Sequence, residues 1–224
     1  MRLTLTQFQN DRLDPKHIGE VIETATNEYL AQCLEPEKLS FPSIPPFGSW
    51  VKAVDAESDN TILGVVTYAT TSPIDSVHRA RALGLSLDQL KEQQPQIFAM
   101  LKTEFKVTIV GFEKYRVSSG QNGNKNNKNI DIYQYFPPRP PQIHQSVFQC
   151  EEEEVIRFSK KLDFLRILLQ SGHTAVEPLI AAVVREVYFH RQADRDWLIL
   201  VGRQLSILLK DDYDRLSYIL SQIH

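Results

Sequence analysis

The stretch from Pro46 to Asp75, PFGSWVKAVDAESDNTILGVVTYATTSPID, limits the folds open to this chain more than any other. Two apolar runs, residues 49–54 and 61–69, flank a polar segment at 56–60 with the length and composition of a hairpin loop. Gly48 and Gly64 stand where a tightly curled strand needs a residue without a Cβ. Pro73 closes the second run, because a residue with no N–H cannot sit inside a ladder. This pattern predicts a small curved β-structure, a barrel, with Trp50 as a buried aromatic anchor of its core.

The flanking sequence supplies further strands. Residues 2–6 alternate Leu3 and Leu5 with polar neighbours, as a short edge strand would, and residues 11–15 read as a turn. Residues 17–25 form a strand with a bulge or two apolar sides, since Val21 and Ile22 are adjacent. Residues 28–34 place Tyr29, Ala31 and Cys33 on one face. Between 35 and 46, Pro36, Pro42, Pro45 and Pro46 exclude a ladder; Leu39, Phe41 and Ile44 are expected to lie on the barrel and cap one end. A helical insertion is expected over 75–95. Asp75 and Ser76 would cap a helix at 77–83 stopped by Gly84, and Ser86 a second, with Asp88 in its first turn and a break at Pro95. Strand character returns at 97–112, where Phe105, Val107 and Ile109 alternate with Lys106 and Thr108. Residues 118–129, SSGQNGNKNNKN, contain no apolar side chain and read as a mobile loop. Across it, residues 130–136 pair with the run that ends at Val117. PPRPP at 137–141 favours extended polyproline and reads as a connector, the natural place for a domain boundary; its other reading is an SH3-type ligand.

The remainder has a helical period. Glu151–Glu154 opens a helix at the end where negative charge is favoured, and Val155, Phe158, Leu162, Leu165 and Leu169 form one face up to Gly172. The next helix starts either with a Thr174–Glu177 capping box or with Pro178 as its first residue, and runs to about Arg191. Asp194 and Asp212 would cap two more, with Trp197, Val201, Leu205 and Leu208, then Leu216, Ile219 and Ile223, turned inward. The predicted class is therefore α+β: a closed or partly closed antiparallel barrel domain at 1–148 and a helical bundle at 149–224.

Residues 16–112 resemble the HAS barrel, the small β-barrel domain shared by HerA-type DNA-translocating ATPases and the catalytic subunits of rotary ATP synthases. The likeness rests on H17-I-G-E-V, the pair PFGSWVKA and ILGVVTYAT, the closing SPID and the later FKVTIVGF. With HRARALGLSLDQLKEQQPQIFAMLKTEF between the last two, the string is similar to stand-alone cyanobacterial members. The resemblance implies a non-catalytic ring-forming or docking element. The 224 residues contain no G-x-x-x-x-G-K-[ST], so a motor's phosphate loop is not expected here.

The chemistry-bearing residues do not converge. A net charge of −3 argues against a dedicated nucleic-acid coat, and no apolar run approaches the length of a membrane span. Isolated Cys33 and Cys150 fit a reduced, cytoplasmic protein and lack a base beside them. The six histidines show no metal-ligand spacing; His190 and Asp194 are four apart, but helix capping accounts for the aspartate. The Glu151–Glu154 run and the 211–214 aspartates are likewise explained by helix starts. Lys114, Arg116, Lys125 and Lys128, with Tyr115 and Tyr133, are the one strip that would suit nucleic acid. The expectation is a non-enzyme without cofactor or metal, an assembly or adaptor protein that self-associates or docks a protein partner. The alternative is a nucleic-acid-processing accessory. Its partner contacts are expected along an edge from Gly64 to Pro73, bordered by His78, Arg79 and Arg81.

Overall fold

The computed structural model describes residues 14–35, 43–55, 57–58, 60–74, 82–117, 128–172 and 175–223, with the backbone alone for 116, 117, 128 and 129. Its strands are β1 (His17–Thr24), β2 (Glu28–Cys33), β3 (Trp50–Asp55), β4 (Asn60–Pro73), β5 (Leu101–Val117), β6 (Lys128–Tyr133) and β7 (Ser146–Gln149). They form one antiparallel sheet in the order β2-β1-β7-β3-β4-β5-β6, and β2 also pairs with β5. That last pairing closes six strands into a barrel and leaves β6 as an extra strand on the outside of the ring. The expected strands at 2–6, the apolar cap by Leu39 and Phe41, the helix at 77–83 and the bulk of the 118–129 loop lie outside the described residues.

Bulges supply the curl that closure needs. In β1, Val21 pairs with Ala31 and Glu23 with Leu30, so Ile22 is the extra residue that the adjacent Val21 and Ile22 foreshadowed. In the β4–β5 pair the register skips Val110 and then Thr67. Alternation fills the interior with Val21, Tyr29, Ala31, Val51, Ala53, Ile62, Val66, Phe105, Val107 and Ile109, all buried. Gly64 pairs with Val51 and faces this interior; a Cβ there would stand 2.4 Å from Val107 Cγ1 and 2.8 Å from the Thr108 carbonyl oxygen. Gly48 serves differently from the expectation. It lies in the turn before β3 at φ +85°, a conformation that favours glycine, against Ala182.

Three strand expectations need correction. Residues 97–99 are helical, within α2 (Gln96–Ala99), because Pro95 starts a new turn instead of yielding to a strand. Lys128 and Asn129 already belong to β6, paired with Val117 and Arg116, and the strand ends at Tyr133 instead of running to 136. Strand pairing also continues past PPRPP: β7 sits between β1 and β3, too short at four residues for its alternation to register in the sequence. Ile44, expected to lie on the barrel, is 51% exposed.

Ser86 caps α1 (Leu87–Gln93) through a capping box with Gln89, inside the expected insertion. The C-terminal helices are α3 (Glu152–Phe158), α4 (Phe164–Leu169), α5 (Val176–His190), α6 (Arg195–Leu208) and α7 (Tyr213–Ser221). The single helix expected from Glu151 to Leu169 is thus two helices with a break. At the start of α5, Val176 is the first helical residue and Ala175 the cap, without a side-chain hydrogen bond; Pro178 falls two positions later than expected, and Thr174 lies outside the described residues. Asp194 and Asp212 cap α6 and α7 as the sequence indicates.

The helices cover the outer wall of the barrel. Trp50, Leu63, Val65 and Val110 alternate outward from β3, β4 and β5 into one buried cluster with Phe158, Phe164, Leu168, Leu179, Val183, Trp197 and Ile219. Trp50 therefore is buried, 1% exposed, but it anchors the barrel to the helices and not the barrel's interior.

Candidate functional site

The sequence pointed to an edge from Gly64 to Pro73, and the structure divides that run in two. Up to Val65, β4 is paired on both sides, with β3 and β5; Ser49 and Gly48 carry the β3-side hydrogen bonding on to Val66. Gly64 is buried within this paired part and does not border any edge. Beyond Val66 only β5 pairs with β4, through Tyr68–Lys106 to Pro73–Leu101. Residues 67–73 thus carry a free edge among the described residues, and Pro73 ends it. The arm made by this part of β4 and the start of β5 extends beyond the β3 pairing. His78, Arg79 and Arg81 lie outside the described residues.

The free edge is neutral. Its sequence, TYATTSP, has no charged residue, and the neighbouring charges on β5 are neutralised locally. Lys102 Nζ is 2.6 Å from Glu104 Oε1, and Lys106 Nζ is 3.3 Å from Glu28 Oε1. Thr71 and Thr103 hydroxyls meet across the arm at 2.8 Å. Tyr68 is 58% exposed, the most exposed side chain among the large hydrophobic residues of β4.

Other sequence candidates are placed apart. Lys114 and Tyr115 are neighbours on β5, so strand alternation sends them to opposite faces; Tyr133, paired with Phe112, shares the face of Lys114, and among the described side chains these two alone of the basic-aromatic strip come to one face. Tyr133 is stacked on Phe112 at 4.9 Å between centroids. Lys125 lies outside the described residues. Among the described residues no group of three His, Cys, Asp or Glu side chains is placed to hold a metal ion. Glu151–Glu154 caps α3 and ties it to the wall: Lys16 pairs with Glu151, and Lys52 Nζ is 2.7 Å from Glu154 Oε1. Burial presses the Lys52 pKa down, but Glu154 outweighs it and the net shift is upward. His190 Nε2 is 3.9 Å from Glu186 Oε1, on its own helix, while Asp194 is occupied as a cap.

Both thiols are buried. Desolvation pushes Cys33 up to about 11 and Cys150 well above its usual range, which holds them as unreactive thiols at neutral pH. Sequence reasoning missed two contacts that lock the seam. Glu113, fully buried on β5, accepts a fork from Arg157 of α3, with Nε–Oε1 at 3.0 Å and Nη2–Oε2 at 2.7 Å. Gln134 bridges the break between α3 and α4. An acidic residue in the alternating run after Ile109 was the available signal for the first; nothing in the local sequence marks the second.

A closed antiparallel barrel with helices on its outer wall and an arm of β4 open on one side defines the class of this protein: a small β-barrel module. More particularly, residues 18–115 match the family model of the HAS barrel domain. No curated protein matches the chain. No helix among the described residues is long and apolar enough to cross a membrane.

Proposed function

We propose that the chain is a non-catalytic assembly or adaptor module whose barrel joins a second copy, or a strand of a protein partner, along the free edge of β4. The observation that carries this reading is the run at residues 67–73: open on one side among the described residues, uncharged, and flanked by charges already paired. Unpaired strand N–H and C=O groups are a template for another strand, and soluble proteins usually guard them with lysine, proline or a bulge. Here Thr67 forms a bulge at one end and Pro73 stands at the other, which frames the open length between them. Two copies paired antiparallel about Thr70 would set Tyr68 of one against Ser72 of the other, with no like charges opposed. The ring-forming or docking role of the barrel in HerA-type relatives supports the same reading, as do the protonated thiols and the lack of a phosphate loop in the 224 residues.

The test is light scattering over a range of concentrations with wild type and Thr70→Lys. The wild type should associate, and a lysine on the edge should shift it toward monomer with an unchanged melting temperature. Arg79→Glu with Arg81→Glu probes whether the basic residues beyond the edge border the same contact. A strictly monomeric wild type from which no host partner is recovered sinks the reading.

A further inference from the structure

The outer edge of β6 belongs to a different part of the molecule. β6 is terminal in the sheet order: β5 pairs with it on one side, and among the described residues nothing pairs with the other. Along it runs a groove of about 350 Å³, with Ile130 and Ile132 of β6 and Phe158 of α3 along its length and Lys160 and Lys161 beside the exit of α3. We propose that this groove takes an extended acidic peptide, which adds to the sheet against β6 and sets its acidic side chains on Lys160 and Lys161.

The strand supplies the backbone half of the recognition. Outward N–H and C=O groups of an edge strand need partners, and an added strand satisfies them in alternation while its side chains enter neighbouring pockets. The carbonyls of Ile156, Phe158, Ser159 and Lys161 on the helical wall are already taken at the break. Gln134 Nε2 donates to the carbonyls of Phe158 and Lys161, Trp197 Nε1 to that of Ser159, and Arg191 Nη2 to that of Ile156. What the wall offers is charge. Arg157 is committed to Glu113, whereas Lys160 and Lys161 are exposed and in no ion pair among the described residues. Asp131 also borders the groove, but it stands opposite Lys114 in the β5–β6 ladder, and alternation turns it to the face opposite Ile130 and Ile132. The volume lies at the small end of ligand sites and suits a few side chains of a strand. Single-stranded nucleic acid fits less well, since bases want free aromatic faces, and of the two aromatic residues in the lining Phe158 is buried in the helical cluster and the Tyr133 ring is stacked on Phe112.

This site is independent of the β4 edge. The arm of β4 pairs with the first residues of β5 and β6 with the last. The experiment uses the full chain with a fluorescein-labelled, acetylated Val-Glu alternating hexapeptide, read by anisotropy. A Val-Lys hexapeptide and a short oligothymidylate serve as comparisons, and amide hydrogen exchange is followed at β6. Saturable binding of the Val-Glu peptide is expected, with added protection of β6 amides and no binding of the Val-Lys peptide. Lys160→Glu with Lys161→Glu should weaken it about tenfold or more. If that pair does not fold, Lys160→Gln with Lys161→Gln should weaken it in the same direction. Thr70→Lys should bind as wild type does, so failure of the β4 reading leaves this one standing. Absence of saturable Val-Glu binding, binding indifferent to the lysine substitutions, unchanged exchange at β6, or oligothymidylate binding in place of the peptide would each overturn the proposal.

Discussion

Trp50 ties the outer wall of the barrel to the helices through two edge-on aromatic contacts, 5.6 Å to Phe158 and 5.4 Å to Phe164 between centroids. Trp50→Ala should cost about 3–5 kcal/mol in chemical denaturation, the range for losing a large buried aromatic side chain. Trp50→Phe should cost much less, because the indole N–H has no hydrogen-bond partner among the described residues and phenylalanine leaves no donor behind. Equal losses for the two would mean that the N–H is satisfied in solution. Beside it, the Glu113–Arg157 fork raises the Arg157 pKa, chiefly by that hydrogen bond. Arg157→Leu strands a carboxylate that is 1% exposed, so it should cost about 3–5 kcal/mol, while adding Glu113→Leu should recover much of the loss. A double-mutant cycle with no coupling would remove the fork from the account of the seam. Glu186 reads out pH. Burial lifts its pKa from the usual 4.5 to about 7, against the lowering effect of the Trp50 backbone N–H. The folded state thus holds the proton more tightly than the unfolded chain, and this contribution is full below pH 4.5 and lost as pH rises through 7. Glu186→Gln should therefore gain stability relative to wild type across that interval, and parallel pH–stability curves would refute it.

The break between α3 and α4 shows at the scale of elements why periodicity stops short of structure. Val155, Phe158, Leu162, Leu165 and Leu169 keep a helical spacing across it, yet the helix ends at Phe158. Gln134, far away in sequence, makes that possible: its Nε2 lies 2.7 Å from the Phe158 carbonyl and 3.0 Å from that of Lys161, and its Oε1 accepts from Phe164 N–H at 3.0 Å. Gln134→Ala should leave these groups unmet, cost about 1–3 kcal/mol, and speed amide exchange at Phe164. Unaltered exchange there would show that water replaces the amide without loss. The same contrast runs through the barrel. Strands whose code is local were legible: alternation in β2, the hairpin of β3 and β4, the bulge at Ile22, and the caps Ser86, Asp194 and Asp212. β7 was not, since its place between β1 and β3 depends on the ends of those strands and not on its own four residues. For the candidate site, Pro73 as the end of the edge was readable, but the end of β3 pairing at Val66 was not, and it is this that excludes Gly64 from the edge.

At the scale of the molecule, the outer wall of the barrel and the C-terminal helices bury their apolar side chains in each other. Trp50, Leu63, Val65 and Val110 come from the wall and Phe158, Leu179, Val183 and Trp197 from the helices, and all belong to one cluster. Among the described residues neither side has another apolar layer to cover these faces, and the Lys52–Glu154 and Glu113–Arg157 pairs cross the same seam. Unfolding should accordingly be a single transition. The cluster holds both tryptophans, one from each side, so near-ultraviolet circular dichroism reports the seam and far-ultraviolet circular dichroism the secondary structure. The two melting curves should coincide. A chain shortened to residues 1–150 would expose the four outward residues of the wall as an apolar patch; it should bind a hydrophobic dye and melt well below the full chain, if it stays in solution. Two resolved transitions, or a shortened chain that keeps the full melting temperature, would mean that the barrel stands alone and that the helices are an attached layer whose loss it tolerates.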